Sequence, residues 1–210
     1  MKGERNRSLV RICCLLCTAA AVLLAGCGQV KLPEEVDFPA LAVSAKGEVT
    51  YWMAETFDKA YYDLAELEEM VNSEAEEFNQ SHPKENGKKA LSVESVAKNT
   101  TGDKVVVKLL FDTIQDYRDY SGQELFYGTK EQATLEGYLT QADLLSVKDG
   151  TQALVSDILE KGDRHLLIAE GNVRIYGPKK ALYVSASAAV LQDGGVQASG
   201  TDEYTYIIMR

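Results

Sequence analysis

The sequence predicts an α+β domain: one long amphipathic helix and several short ones packed on a mainly antiparallel β-sheet. Three observations carry this prediction. Between Asp63 and Ser81 the apolar residues Leu64, Leu67, Val71, Ala75 and Phe78 recur at three- and four-residue spacing, the period of one helix face. The stretches Leu91–Val96 and Val105–Phe111 alternate apolar with polar residues and flank a turn-rich segment. From His165 onward the chain is dominated by short runs of β-branched, aromatic and aliphatic residues separated by glycine-containing turns.

The first element is not part of that domain. Lys2, Arg5, Arg7 and Arg11 form a basic head, with Glu4 as its only acid, and an apolar run follows from Ile12 to Leu24. A spanning helix needs about 20 apolar residues, so this run is short for a membrane crossing and has the form of a secretory signal. It ends in Leu24-Ala25-Gly26-Cys27. That tetrapeptide resembles, position for position, the lipobox of bacterial lipoproteins; beyond it the chain is similar only in a general way to small surface lipoproteins of Gram-positive type. The resemblance implies that Cys27 receives a diacylglyceryl group and becomes the first mature residue, with residues 1–26 removed and further acylation such as palmitate as its lipid chemistry. Two chains hold a protein on a bilayer where one does so only marginally. The expected location is therefore the outer face of the cytoplasmic membrane. Cys13, Cys14 and Cys17 lie in the removed part, leaving Cys27 alone and no material for a disulfide or a cysteine metal cluster.

Residues 27–47 read as the lipidated terminus and a linker, interrupted by Pro33 and Pro39 and closed by Gly47, and residues 48–210 as a single domain. Val49–Met53 has strand composition and contains the only tryptophan, Trp52, expected to be partly buried. Asp63 with Glu66 forms a capping pattern for the main helix, whose other face is covered by glutamates, and Pro83 stops it. Asn99–Asp103 supplies turn chemistry between the two alternating stretches, which predicts a β-hairpin with the helix on its inner face. Asp112 is read as the cap of a short helix ending before Gly122, Glu124–Tyr127 as a strand, and Thr129 with Gln132 as the cap of another short helix ending near Gly137. Leu144–Val147 reads as a strand before the Asp149-Gly150 turn, and Ser156 as the cap of a helical turn left at Gly162. The strands expected beyond are His165–Ala169, Val173–Tyr176, Leu182–Ser185, Ala189–Leu191 and Tyr204–Ile208; Leu166-Leu167-Ile168 and Ile207-Ile208 suggest burial on both faces.

Cleavage before Cys27 leaves 184 of the 210 residues, with 18 Lys and Arg against 31 Asp and Glu, a formal net charge of −13. Such a domain is repelled by nucleic acid and by anionic headgroups, so neither nucleic-acid binding nor a second, electrostatic contact with the membrane is expected. No cofactor is implied. Only two histidines are present, His82 and His165, and neither has a nucleophile beside it in sequence. There is no zinc pattern, no Gly-x-Ser-x-Gly elbow and no phosphate-cradling glycine loop. Asp112, Asp116 and Asp119 share a helix face at a spacing that could offer oxygens to Ca²⁺, although calcium sites are usually built on loops, and the simpler reading is a solvated acidic face with no metal.

All eleven tyrosines fall after Cys27. Tyrosine provides large amphipathic contact area at low entropic cost, and Tyr117, Tyr120 and Tyr127 cluster around a glycine-containing connection, which makes them the candidate binding residues. No catalytic residues are assigned. The function expected is that of a non-enzymatic binding or interaction module of the cell envelope, with an unknown envelope or protein partner and the membrane held through Cys27. A solute-binding lipoprotein of a transporter and a carboxylate-dependent envelope hydrolase are the alternatives.

Overall fold

The computed structural model describes residues 30, 32–33, 35–138, 142–200 and 204–210. The signal segment and Cys27 lie outside the described residues. The α+β expectation, with one long helix organising a single sheet, is overturned. The chain is mainly β, 37% strand against 23% helix, with thirteen strands in two sheets among the described residues.

Sheet A has seven strands in the order β11-β12-β9-β1-β2-β4-β3. Its strands are β1 (Ala40–Val43), β2 (Val49–Thr56), β3 (Leu91–Lys98), β4 (Lys104–Phe111), β9 (Arg174–Tyr176), β11 (Ala189–Val190) and β12 (Val196–Gln197). Sheet B has six, in the order β5-β8-β13-β10-β6-β7. They are β5 (Leu125–Gly128), β6 (Asp143–Ser146), β7 (Gln152–Leu154), β8 (His165–Glu170), β10 (Ala181–Ser185) and β13 (Tyr204–Met209). Every pairing is antiparallel except β1 with β9. The helices are α1 (Leu64–Ser81), α2 (Ile114–Ser121), α3 (Lys130–Leu135) and α4 (Val155–Leu159).

Strand alternation sorts side chains into three apolar layers. Leu41 and Val43 of β1, Val107, Leu109 and Phe111 of β4, and Ile175 of β9 point from sheet A into the main core. There they meet Leu167 and Ala169 of β8 and Ile207 and Met209 of β13, from sheet B. The alternate residues of sheet B, Leu166, Ile168 and Ile208, face outward onto Ala133 of α3 and Val155, Ile158 and Leu159 of α4. The alternate residues of sheet A, Ala40, Ala42 and Trp52, form a third layer with Val36 and Tyr176. The doubly apolar run in β8 thus serves two cores at once.

The hairpin of β3 and β4 forms across the Asn99–Asp103 turn, with a bulge between Val93 and Ser95. Helix α1 lies against it, with Val71 and Ala75 buried and Leu67 and Phe78 packed at the margin. Asp63 caps α1, accepting from the Ala65 and Glu66 amides at 2.7 and 3.3 Å. Near the other end Asn79 reaches the edge strand β3: its amide donates to the Leu91 carbonyl at 2.8 Å and its oxygen accepts from the Leu91 amide at 2.9 Å. A side chain thereby occupies the place of a neighbouring strand, which protects part of an exposed edge.

Two other expectations change in detail. Thr113, not Asp112, caps α2, accepting from the Asp116 amide at 3.1 Å, and Gly122 ends it in the left-handed conformation, φ 69°. Helix α4 starts at Val155, with no side-chain cap from Ser156.

The largest difference concerns residues 27–47. Ala40–Val43, expected in a linker, is the fourth of seven strands in sheet A and is buried throughout. Ahead of it, residues 35–39 with Val30 and Pro33 form a strap over the outer face of sheet A. Glu35 accepts from the Thr100 amide at 2.6 Å. Val36 is 3% exposed. The Asp37 carbonyl accepts from Lys104, and its carboxylate from Arg174 at 3.0 Å.

Candidate functional site

The three tyrosines singled out in the sequence do not form one surface. Tyr117 is 1% exposed and packs edge-on against Tyr51 and Phe111, its hydroxyl donating to Gln123 at 3.0 Å. It is a core residue, and its phenol is pushed upward by burial. Tyr120 is half-buried between Phe78 and Phe111 and donates to Glu74 at 3.4 Å. Tyr127 leaves α2 altogether, lying on β5 and stacked on His165 with ring centres 5.2 Å apart. Tyr117 and Tyr120, three residues apart on α2, both reach Phe111, but only Tyr117 is fully enclosed.

The aspartates of α2 likewise separate. Asp112 is paired with Lys88 at 2.8 Å, and Asp116, 3% exposed, with Lys84 at 2.8 Å and the Thr113 hydroxyl at 2.6 Å. Asp119 accepts from Gln115 at 2.7 Å and lies 3.8 Å from His82. Each carboxylate has its own cation or donor, and among the described residues no group of three or more His, Cys, Asp and Glu converges on a common point. His82 stacks on Phe78, with its Nδ1 3.0 Å from the Phe78 carbonyl. Glu124 is held by Arg118 at 2.9 Å and accepts from the Tyr138 hydroxyl, while its amide donates to Glu170 at 2.8 Å. Burial and that carboxylate push the Tyr138 phenol up to about 12.

The exposed aromatic surface is elsewhere. In the connection from β2 to α1, the rings of Phe57 and Tyr62 lie 5.0 Å apart, and Tyr61 stands edge-on to Tyr62 at 4.9 Å. Tyr61 is 77% exposed and Tyr62 42%. The Lys98 ammonium sits 5.1 Å over the Phe57 ring, a favourable placement of a cation on an aromatic face. Phe57 is fixed from below, its amide donating to the Asp103 carbonyl at 2.8 Å. The Asn99–Lys104 turn that supports it is stiff: Thr101 and the Asn99 amide at 3.1 Å donate to the Asp103 carboxylate and hold it below the usual carboxylate range.

Lys98 also borders a groove of about 590 Å³ between the strap and the outer face of β3 and β4. Its floor is Trp52, Val106 and Ala97, its strap wall is Pro33, Glu35 and Val36, and its far wall carries Glu94 and Lys108. Lys108 lies 3.0 Å from Glu94 and 5.4 Å over the Trp52 ring. A charged rim over an apolar floor is suited to holding a ligand. Among the described residues the lining includes two hydroxyls, at Ser95 and Thr100, and no imidazole or thiol.

Tip and groove are therefore one continuous surface, joined at Lys98, which the sequence reading did not single out. The signal was present in Phe57-Asp58-Lys59-Ala60-Tyr61-Tyr62, three aromatic residues in the seven-residue connection between a strand and a helix. Rings at such a position have no core to enter.

Among the described residues no helix is long and apolar enough to cross a membrane. No protein-family model, no curated protein and no solved structure matches the chain.

Proposed function

We propose that the chain is a membrane-anchored, extracytoplasmic lipoprotein whose β-domain is a non-enzymatic binding module of the cell envelope. Its ligand surface is the Phe57-Tyr61-Tyr62 tip with the adjoining Trp52 groove. The anchor reading is supported by the Leu24-Ala25-Gly26-Cys27 tetrapeptide after a short apolar run. The binding reading is carried by one observation: the exposed rings of Tyr61 and Tyr62 cluster with the half-buried Phe57, beside a lysine ammonium. Exposed tyrosines on a connection held by a rigid scaffold are a common form of binding surface. The pairing of Asp112, Asp116 and Glu124 with their own cations argues against the carboxylate-hydrolase alternative.

The test is isothermal titration of the purified domain with envelope fractions, repeated with Tyr61→Ala/Tyr62→Ala. Loss of affinity by about tenfold or more is expected in the double variant, with an unchanged melting transition. Binding that survives both substitutions, or no binding to any envelope fraction, removes the reading.

A further inference from the structure

We infer that the strap orients the domain on the membrane, so that the β11–β12 end of sheet A rests on the bilayer and the aromatic tip points away from it. The inference rests on the lipoprotein reading and goes beyond it, because a lipid anchor on a free linker would set no orientation.

Three observations carry it. The first is reach. Val30 is packed: its two methyl groups lie 3.7 and 3.8 Å from where a Cβ on Gly194 would stand, and it joins the outer layer with Trp52 and Tyr176. Cys27 is three residues upstream, and at up to about 3.6 Å per residue its Cα is tied within roughly 11 Å of the Val30 Cα, which itself packs beside the β11–β12 turn. The bilayer surface must therefore lie close to Gly194.

The second is direction. The strap climbs from Gly194 to the Asn99–Lys104 turn, where Glu35 binds Thr100, and then returns as β1. The Gly194 end is the end at which β9 finishes at Tyr176, β1 at Val43 and β4 at Phe111. The tip is the opposite end, where β2 finishes at Thr56 beside Lys104. β2 and β4 have eight residues each, so the two ends stand roughly 23 Å apart at about 3.3 Å per residue.

The third is charge. At the Gly194 end, the connections next to β1, β3 and β9 expose Lys46, Lys88, Lys89, Lys179 and Lys180. The exposed carboxylates in the connections at that end are Glu48, Glu85 and Asp193. Lys88 is neutralised by Asp112 at 2.8 Å, which leaves four exposed lysines against three exposed carboxylates in these connections, a small positive excess on a chain that is strongly acidic overall. Lysines near a surface of anionic lipids are attracted over about a Debye length, so the local field favours the same pose that the short tether imposes.

The lipidated protein is reconstituted in vesicles of phosphatidylcholine and phosphatidylglycerol that carry headgroup spin labels. Because the thioether would occupy Cys27, Gln192→Cys or Asp58→Cys supplies a single thiol for a fluorophore, at the Gly194 end and at the tip respectively; both positions are exposed. Strong quenching at residue 192 and none at 58 is the expected result. Equal quenching at both positions, or stronger quenching at 58, overturns the orientation. A Cys27→Ala control separates the two layers of the argument. If that variant is cut normally and still fractionates with membranes, the lipoprotein reading fails and takes the orientation with it. If only the native protein is membrane-bound while the two labels quench alike, the orientation alone fails.

Discussion

Tyr176 shows how one side chain joins three parts of the fold. Its ring is almost fully buried in the outer layer against the Cα of Gly195, where a Cβ would stand 2.7 Å from the ring, and its hydroxyl donates to Asp193 at 3.0 Å. Burial first, then the bond to the Asp193 carboxylate, push its phenol up to about 12. Tyr138 is raised to about 12 for the same two reasons, through Glu124. The native state therefore holds these protons after the unfolded chain, titrating near 10, has released them. Their contribution to stability is complete below about pH 10 and is lost as pH rises toward about 12. Urea midpoints measured from pH 8 to 12 should fall across that window, and Tyr176→Phe should flatten part of the decline. At this scale the sequence was only half legible. Composition revealed eleven tyrosines, but which of them are core depends on strand register and helix phase: Tyr117 turns inward although it is flanked by polar residues, whereas Tyr61 and Tyr62 stay outside.

Among the elements, the strap departs most from what its residues suggest. Its prolines and mixed charges read as a spacer, because neither a period of 2 nor one of 3.6 runs through it. Its hold on sheet A comes from partners 65 to 137 residues away, at Thr100 and Arg174, and no local pattern encodes these. Ala40–Val43 was missed for a related reason: a four-residue strand buried on both faces shows no alternation. The elements with strong local codes were legible, namely the Asp63 cap, the β3–β4 turn and the Thr129–Gln132 capping box. Burial of Val36 is worth about 1.5–3 kcal/mol, so Val36→Asp should release the strap. Trp52 lies beneath it at 4% exposure and is the only tryptophan. The variant should shift its emission to the red and lower the unfolding free energy by at least about that amount; unchanged emission would show that the strap does not shield Trp52.

For the whole molecule, the two sheets are interlocked by the order of the chain. β8 and β9 are joined by a short turn at Gly171, yet β8 lies in sheet B and β9 pairs with β1 in sheet A. The class assigned from sequence went astray here. One strongly periodic helix dominated the pattern, and although β9 and β11 were expected as strands, nothing local shows that β9 pairs with β1 and with the two-residue β12 in a second sheet. A chain beginning at residue 27 should unfold in a single cooperative transition. One beginning at residue 44 loses the strand that joins β9 to β2 and should show no cooperative transition by circular dichroism; a sharp transition in the shorter chain would mean that β1 is dispensable.

The position of β13 has a consequence for timing. Tyr204–Met209 sits between β8 and β10, with neighbours on both sides in sheet B, and β1, near the other end of the chain, waits for β9. Neither sheet can close while the polypeptide is still emerging from a ribosome or threading through a narrow channel. Long-range pairing of this kind is slow to nucleate. The two halves of sheet B, β5–β8 and β10–β6–β7, therefore stay unjoined until nearly the last residues of the chain are present.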